Sequence, residues 1–279
     1  MAVVATGFFD GVHMGHRSVI QTLVDQARSR CDESLVITFW PHPRTVLQND
    51  ARSLRLLTSL DEKMELLKGL GVDRVEVLPF SREFSRMTAQ EYLGDIVAGR
   101  FGGRAVVFGY DNRIGSDQLT PDLASVAARN VGLEAVKTSP VGIISSTVIR
   151  GALQQGRLEA ACGMLGYNYS LYGVVVSGKQ LGRTIGFPTA NMQMYDPLKL
   201  IPQRGVYFTE VETLGGHYHG MTNVGDIVET HIFDFNEDIY GLDIKIKFVR
   251  RIRDGRTFSS IEELRPQLVI DESTCRALF

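Results

Sequence analysis

The chain has 279 residues, 44% of them apolar and 22% charged, with a formal net charge of −2. This composition fits a soluble globular protein with a real core, in one large domain or two moderate ones. The charge argues against a general binder of nucleic acid or membrane surface, since both usually need a basic excess. Cys31, Cys162 and Cys275 are scattered and form no CxxC, so reduced thiols are expected, with no disulfide framework or zinc site. No apolar run reaches membrane-spanning length, and no charged segment followed by a long apolar stretch opens the chain, so a cytoplasmic location is expected.

Taken in order, the first half alternates β-rich runs with amphipathic stretches. Strands are expected at VVAT, SLVITFW (34–40), DRVEVLPF (73–80), RAVVFG (104–109) and GLEAVKT (132–138). Between them HRSVIQTLVDQARSR, SLDEKMELLKGL, TAQEYLGDIVAG and TPDLASVAARN have helical spacing. Repeated strand–helix alternation with nearly continuous apolar strands predicts a parallel sheet covered on both faces, an α/β fold. Ligands of such sheets bind at the carboxyl ends of the strands.

The stretch GFFDGVHMGH (7–16) occupies one such end. Gly7, Gly11 and Gly15 permit a tight turn and close approach of backbone to a ligand. A helix beginning near His16 aims N–H groups and a positive dipole end at an anion. His13 and His16 beside it can donate hydrogen bonds to phosphate oxygens. The plainer reading is a tight turn with surface histidines; the strand before and helix after favour the phosphate site. ISSTVIR (144–150) sets Ser145, Ser146 and Thr147 before a helix, with Arg150 one turn along as a phosphate clamp; N-capping is the commoner use of such residues.

From Ser146 to Leu165 the pattern is helical, and after Tyr167 it changes. SLYGVVVSG, GVYFTEVET, HYHGMTNVG, VETHIFDF and LDIKIKFVRRI alternate apolar and polar residues between glycine turns, which predicts an antiparallel sheet or small barrel. SSIEELRPQLVIDESTCRALF (259–279) is expected to close the chain as a helix. In GVVVSGKQLGRTIGFPTANM (173–192), Gly178, Gly182 and Gly186 loosen a loop carrying Lys179 and Arg183, suited to wrapping phosphates. Thr189 and Asn191 offer neutral oxygens two residues apart, ligands of the kind magnesium accepts. From spacing alone, a glycine-rich hairpin is the preferred account of this stretch.

GFFDGVHMGH, ISSTVIR, FWPHPRTVL (39–47) and FGYDNRIG (108–115) resemble the adenylyltransferase half of the bacterial bifunctional riboflavin kinase/FAD synthetase family. GRTIGFPTAN resembles the riboflavin kinase signature of the same family, and VETHIFDF its glutamate strand. The likeness spans about 265 residues, read off the two independent motif sets in order. It implies a Rossmann-like nucleotidylyltransferase domain at 1–166 and a six-stranded antiparallel β-barrel with a C-terminal helix at 167–279. It further implies Mg2+, with ATP as co-substrate and riboflavin, FMN and FAD as substrate or product. Catalytic roles carry over to His13, His16, Arg150 and Glu229, the last as the base for the riboflavin 5′-hydroxyl. Nucleotide phosphates fall to Gly7, Phe9, Asp10, Gly15, Ser145, Ser146, Thr147, Gly178, Lys179, Gly182 and Arg183. Flavin or nucleotide contacts fall to His42, Asp111, Asn112, Arg113 and Asn223, and metal ligation to Thr189 and Asn191. No nucleic-acid or membrane partner is expected.

There is one departure. Only Asp226 and Ile227 separate Asn223-Val224-Gly225 from the glutamate strand, where the family carries a longer loop with a Pro-Thr pair. An adenylyltransferase acting alone, with the barrel kept for flavin binding or structure, is the alternative that this departure supports. A flavin-binding sensor without catalysis is disfavoured by the intact polar residues.

Overall fold

In the computed structural model, residues 1–47, 54–178 and 181–279 are described, and they divide into two compact units, Met1–Ser146 and Thr147–Phe279. The first unit is built on five parallel strands, β1 (Ala2–Thr6), β2 (Glu33–Trp40), β3 (Arg74–Pro79), β4 (Gly103–Phe108) and β5 (Glu134–Lys137), in the order β3-β2-β1-β4-β5. Strand alternation divides its core in two. Ala2, Val4, Leu35, Ile37, Val106 and Phe108 face one layer, while Val3, Ala5, Val36, Ala105 and Val107 face the other. The second layer is filled by Ile20, Leu23, Val24 and Ala27 of helix α1 (Met14–Arg30) and by Leu67 of α3 (Leu60–Gly69), α2 being the short Pro43–Leu47. The first is covered by Leu93, Val97 and the alanines of α5 (Pro121–Asn130).

The stretch 88–99, expected as one regular helix, is a single α-turn, α4 (Ala89–Glu91), that widens into π-helix over Tyr92–Arg100. The i→i+5 bond from Phe101 N–H to Ile96 O, 3.1 Å, marks the wider turn. Gly99 suits it, because a Cβ there would lie 3.2 Å from the Gly94 carbonyl oxygen.

The strand order reverses between β1 and β4. The loop leaving β1, Gly7–His13, therefore emerges at the switch point of the sheet, where open α/β folds place their ligands.

Helix α6 (Ser146–Gln154) and α7 (Leu158–Leu165) break at Gly156, whose φ of 71° a side chain would strain. The second unit is a closed antiparallel barrel of β6 (Ser170–Val176), β7 (Ala190–Met194), β8 (Gly205–Thr213), β9 (Gly216–Val224), β10 (Val228–Ile232) and β11 (Asp243–Asp254), in the order β10-β7-β6-β11-β8-β9. A short α8 (Leu181–Thr184) precedes β7, and α9 (Ile261–Arg276) ends the fold. Inside the barrel Thr209, Thr222 and Thr230 are linked hydroxyl to hydroxyl at 2.9 Å and 2.9 Å, so three buried polar groups satisfy one another. On the outer face Phe208, Met221, Phe187 and Phe233 pack with Cys275 of α9. Arg253 of β11 grips the buried Asp271 of α9 with Nε at 2.8 Å and a terminal nitrogen at 2.7 Å.

The connection Gly225–Ile227 is a closed three-residue turn. Gly225 N–H donates to Ile227 O at 3.2 Å, β9 and β10 pair without a break from Val224↔Val228, and Asp226 makes an ion pair with Arg204.

Candidate functional site

Each unit carries one cluster of the expected residues. In the first, His13 is the N-cap of α1. Its backbone is extended, and its Nδ1 accepts the His16 N–H at 3.3 Å. An Nδ1 that accepts leaves the ring proton on Nε2, so a neutral His13 presents a donor on its other edge. The His13 and His16 rings stack at 3.6 Å, and Phe9 closes edge-on to His16 at 5.3 Å. Gly15 admits this stack, since a Cβ there would lie 3.2 Å from the His13 ring. Burial, then the neighbouring His13, then Lys63 hold His16 well below the ordinary histidine pKa, and its buried Nδ1 has no hydrogen-bond partner among the described residues. His16 thus stands as a neutral imidazole beside a helix N-terminus.

The loop around them is fixed from below. Asp10 is buried and accepts the backbone N–H of Leu57 at 2.9 Å and of Thr58 at 3.2 Å, while Thr58 Oγ1 accepts Gly11 N–H at 3.1 Å. Ser146 Oγ donates to the Asp10 carbonyl at 2.9 Å, tying ISSTVIR to GFFDGVHMGH. Thr147 is exposed, and Arg150 lies four residues beyond Ser146 on the same face of α6.

Beside this loop a cavity of about 350 Å³ opens at the carboxyl edge of the sheet. Gly7, Phe8, Phe39, Phe80, Phe84, Tyr92, Asn112 and Arg113 are among its lining residues. Phe39, Phe84 and Tyr92 meet ring to ring at 5.5 to 6.2 Å, and Tyr92 hydroxyl is hydrogen-bonded to Thr6 Oγ1 at 2.7 Å. Asn112 Nδ2 donates to Thr6 O at 3.1 Å, and His42 packs against Phe8 at 4.1 Å. Asp111 is exposed at the rim. The cavity is aromatic on its walls and polar at one edge, a shape suited to a flat heteroaromatic ring carrying a phosphate.

In the second unit, strand register assembles the site. Glu229 of β10 pairs with Asn191 of β7 on one side and Asn223 of β9 on the other, so all three share one rung and one sheet face. Oriented to satisfy both neighbours, the Asn191 amide donates from Nδ2 to Glu229 Oε1 at 3.0 Å and accepts at Oδ1 from Gly178 N–H at 3.3 Å. Glycine at 178 permits this contact, because a Cβ would fall 1.5 Å from the amide and displace it. Gly182 is equally constrained, its Cβ position being 2.1 Å from Phe187 O. Lys179 lies outside the described residues.

A cleft of about 510 Å³ is lined by Arg183, Pro188, Thr189, Ala190 and the segment Phe235–Tyr240. His231 reaches across to one wall, its Nδ1 donating to Pro188 O at 2.7 Å. The other wall starts at Asp234, which has a left-handed φ of 55° and accepts two hydrogen bonds from Arg276, each 2.9 Å. The expected donors are the Thr189 hydroxyl, which lines this cleft, and the Asn191 amide and Glu229 carboxylate, which are not among its lining residues; among the described residues no cluster of histidine, cysteine or acidic ligands forms a cage. That donor set fits magnesium held jointly by protein and nucleotide, and does not fit zinc.

Sequence reasoning missed the Phe80/Phe84/Tyr92 wall, the contact made by His231, the Phe235–Tyr240 segment and Lys63. An aromatic at the end of each of two strands, Phe39 and Phe80, was the available signal for the first. For Lys63 it was the position four residues before Leu67, on the apolar face of an amphipathic helix.

A doubly wound sheet in one unit and a closed antiparallel barrel in the other, each with a cluster of the expected polar residues, are the frame of a nucleotide-dependent transferase. The FAD synthetase family model matches residues 1–150, and the riboflavin kinase model matches 165–279. Curated proteins named bifunctional riboflavin kinase/FMN adenylyltransferase align along the chain. The one from Listeria monocytogenes is 37% identical over 99% of this chain and 92% of its own length. That from Bacillus subtilis is 35% identical over 100% and 92%. A crystal structure titled macrolide-efflux protein, from Streptococcus pneumoniae, matches with a TM-score of 0.91 at 34% identity, covering 99% of this chain and 93% of that one. No helix among the described residues here is long and apolar enough to cross a membrane. The chain belongs to the bifunctional riboflavin kinase/FMN adenylyltransferase family.

Proposed function

We propose that the chain makes FAD from riboflavin in two ATP-dependent steps, with residues 167–279 as the kinase and 1–166 as the adenylyltransferase. What carries this reading is the rung Asn223–Glu229–Asn191 in one unit and the stacked His13–His16 pair capping α1 in the other, within a chain matched by both family models.

In the kinase step the riboflavin 5′-hydroxyl oxygen attacks the γ-phosphorus of ATP, its proton passes to Glu229, and the bond to ADP breaks. The reaction needs alignment and one proton acceptor more than covalent help. Asn191 Nδ2 orients the carboxylate. Gly178, Gly182 and Arg183 embrace the phosphates, and His231 steadies the Pro188–Thr189 turn. Magnesium, which Thr189 Oγ1 and Asn191 Oδ1 would hold, offsets charge on those phosphates.

In the second step an FMN phosphate oxygen attacks the α-phosphorus of another ATP, the α–β bridge breaks, and pyrophosphate departs. His13 Nε2–H, His16, the N–H groups at the start of α1, and Arg150 with Ser145, Ser146 and Thr147 meet the charge that develops. Asp10, Gly7, Phe9 and Gly15 shape the loop. The aromatic cavity receives the flavin ring, with His42, Asp111, Asn112 and Arg113 at its edge. The substrates are small molecules, no nucleic-acid or membrane partner is involved, and the location is cytoplasmic.

The test is chromatographic identification of products from riboflavin and Mg-ATP. FMN followed by FAD is expected. FAD formed only when FMN is supplied would leave the adenylyltransferase alone, the reading that the three-residue Gly225–Ile227 turn favours.

A further inference from the structure

Lys63 is a lysine with a side chain that is 1% exposed, on the face of α3 that turns toward the phosphate loop. Its Nζ donates to the Phe8 carbonyl at 3.1 Å and stands 4.0 Å from the Phe8 ring centroid. Among the described residues no carboxylate forms a salt bridge with it. Asp10 attracts it, yet the Asp10 oxygens are engaged by Leu57 and Thr58. A methionine would fill the same space beside Leu67 without the cost of dehydrating a charge. Phe8 O also keeps a second donor, Thr38 Oγ1 at 3.2 Å, so loop geometry alone does not require an ammonium. The charge is nonetheless felt at the histidine pair, where it helps keep His16 unprotonated.

We propose that Lys63 is a positioning residue of adenylyl transfer, its buried ammonium holding the Phe8 carbonyl and giving the phosphate loop a standing positive field without touching substrate. This rests on reading the first unit as the adenylyltransferase. Arg17 also reaches the loop, its Nε donating to the Val12 carbonyl at 3.2 Å, but Lys63 is the buried cation of the two, and a dehydrated cation beside the loop acts over distance with little screening.

The groups facing Lys63 are Asp10 from the loop after β1 and His16 at the start of α1, with His13 behind it. Burial depresses the ammonium to about 8. The field therefore weakens as pH rises through that value, while His16 lost its proton on the acid side of neutrality. An arginine, which stays charged throughout, removes that dependence.

The experiment follows FAD formation from supplied FMN and Mg-ATP between pH 6.5 and 9.5, with FMN formation from riboflavin by the same preparation as reference, all on the order of the accessible range around the lysine transition. The natural chain is expected to show an alkaline fall in FAD formation near the Lys63 transition that the kinase reaction lacks. Lys63→Arg should lose that fall. Lys63→Met should lower kcat/KM for FAD formation on the order of 10-fold or more at neutral pH. Parallel pH profiles for the two reactions in the natural chain, or a Lys63→Met variant as fast as the natural chain, overturn the inference. Should Lys63→Met fail to fold, the natural profile and Lys63→Arg still decide. No FAD from FMN at any pH in the natural chain overturns the reading of the first unit and this inference with it. FAD formation indifferent to Lys63 overturns this inference alone.

Discussion

Asn191 and Glu229 face each other across the β7–β10 ladder, with the amide nitrogen 3.0 Å from one carboxylate oxygen. A base held this way keeps its second oxygen for the hydroxyl it deprotonates. Glu229→Gln keeps size and ladder pairing but removes the acceptor. We expect FMN formation to fall on the order of 100-fold or more while FAD formation from supplied FMN is retained. Equal loss of both reactions would defeat the assignment.

Gly178 lets the backbone approach the Asn191 amide, and a Cβ there would fall 1.5 Å from that amide. Gly178→Ala should displace Asn191 and so uncouple it from Glu229. The expected result is lost kinase turnover with unchanged FAD formation. A kinase of normal rate in this variant would show that the close approach has no role.

The Arg276–Asp234 fork anchors the start of the Phe235–Tyr240 wall to the last turn of α9, and Arg276 also lies over the Phe233 ring at 4.8 Å. Arg276→Ala should raise the kinase KM for Mg-ATP several-fold more than it lowers kcat, and exchanging the two charges should restore it in part. A change confined to kcat would place the defect elsewhere.

The alternation of strands and helices, the glycine loop after β1 and the change of character after Tyr167 were legible because each rests on local periodicity or turn chemistry. The place of Asn191 on the rung with Glu229 and Asn223 was not, since register between β7 and β10, 38 residues apart at this pair, is set by pairing that no single segment encodes. The aromatic cavity was hidden for the same reason: Phe8, Phe39, Phe80 and Tyr92 come from four separate places in the chain. Tyr92–Arg100 has helical spacing, and the π widening depends on the crowding of Gly94 and Gly99. Lys63 stands among Asp61, Glu62 and Glu65, so the local run of charges does not set it apart.

His16 gives a pH signature of the first unit. Its folded pKa lies well below the unfolded value near 6.5, so above about 6.5 neither state binds the proton. As pH falls below that point the unfolded chain takes up a proton that the native ring refuses, and stability declines through the folded pKa. Trp40, in β2, is the single tryptophan, so its fluorescence reports this unit. Urea midpoints followed by Trp40 should fall between pH 6.5 and 5, and less steeply in His16→Gln. Equal slopes in the two proteins would mean that His16 is not the group responsible.

Lys63 supplies the opposite case, a residue whose removal should stabilise the fold. Its folded pKa, about 8, is below the unfolded value of 10.5, so between the two the unfolded chain binds more protons and stability rises with pH. Below pH 8 the whole cost of the buried ammonium is present, roughly 3 kcal/mol for a displacement of this size. Lys63→Met relieves it, and Phe8 O keeps its bond from Thr38, so no carbonyl is stranded. A gain of about 1 to 2 kcal/mol is expected at neutral pH after the loss of one hydrogen bond, fading to nothing as pH approaches 10.5. Trp40-monitored urea unfolding at the two pH values measures it. A lysine kept for structure would behave in reverse, with Lys63→Met less stable at neutral pH; a lysine kept for its charge at the phosphate loop leaves a variant that is more stable and slower at making FAD.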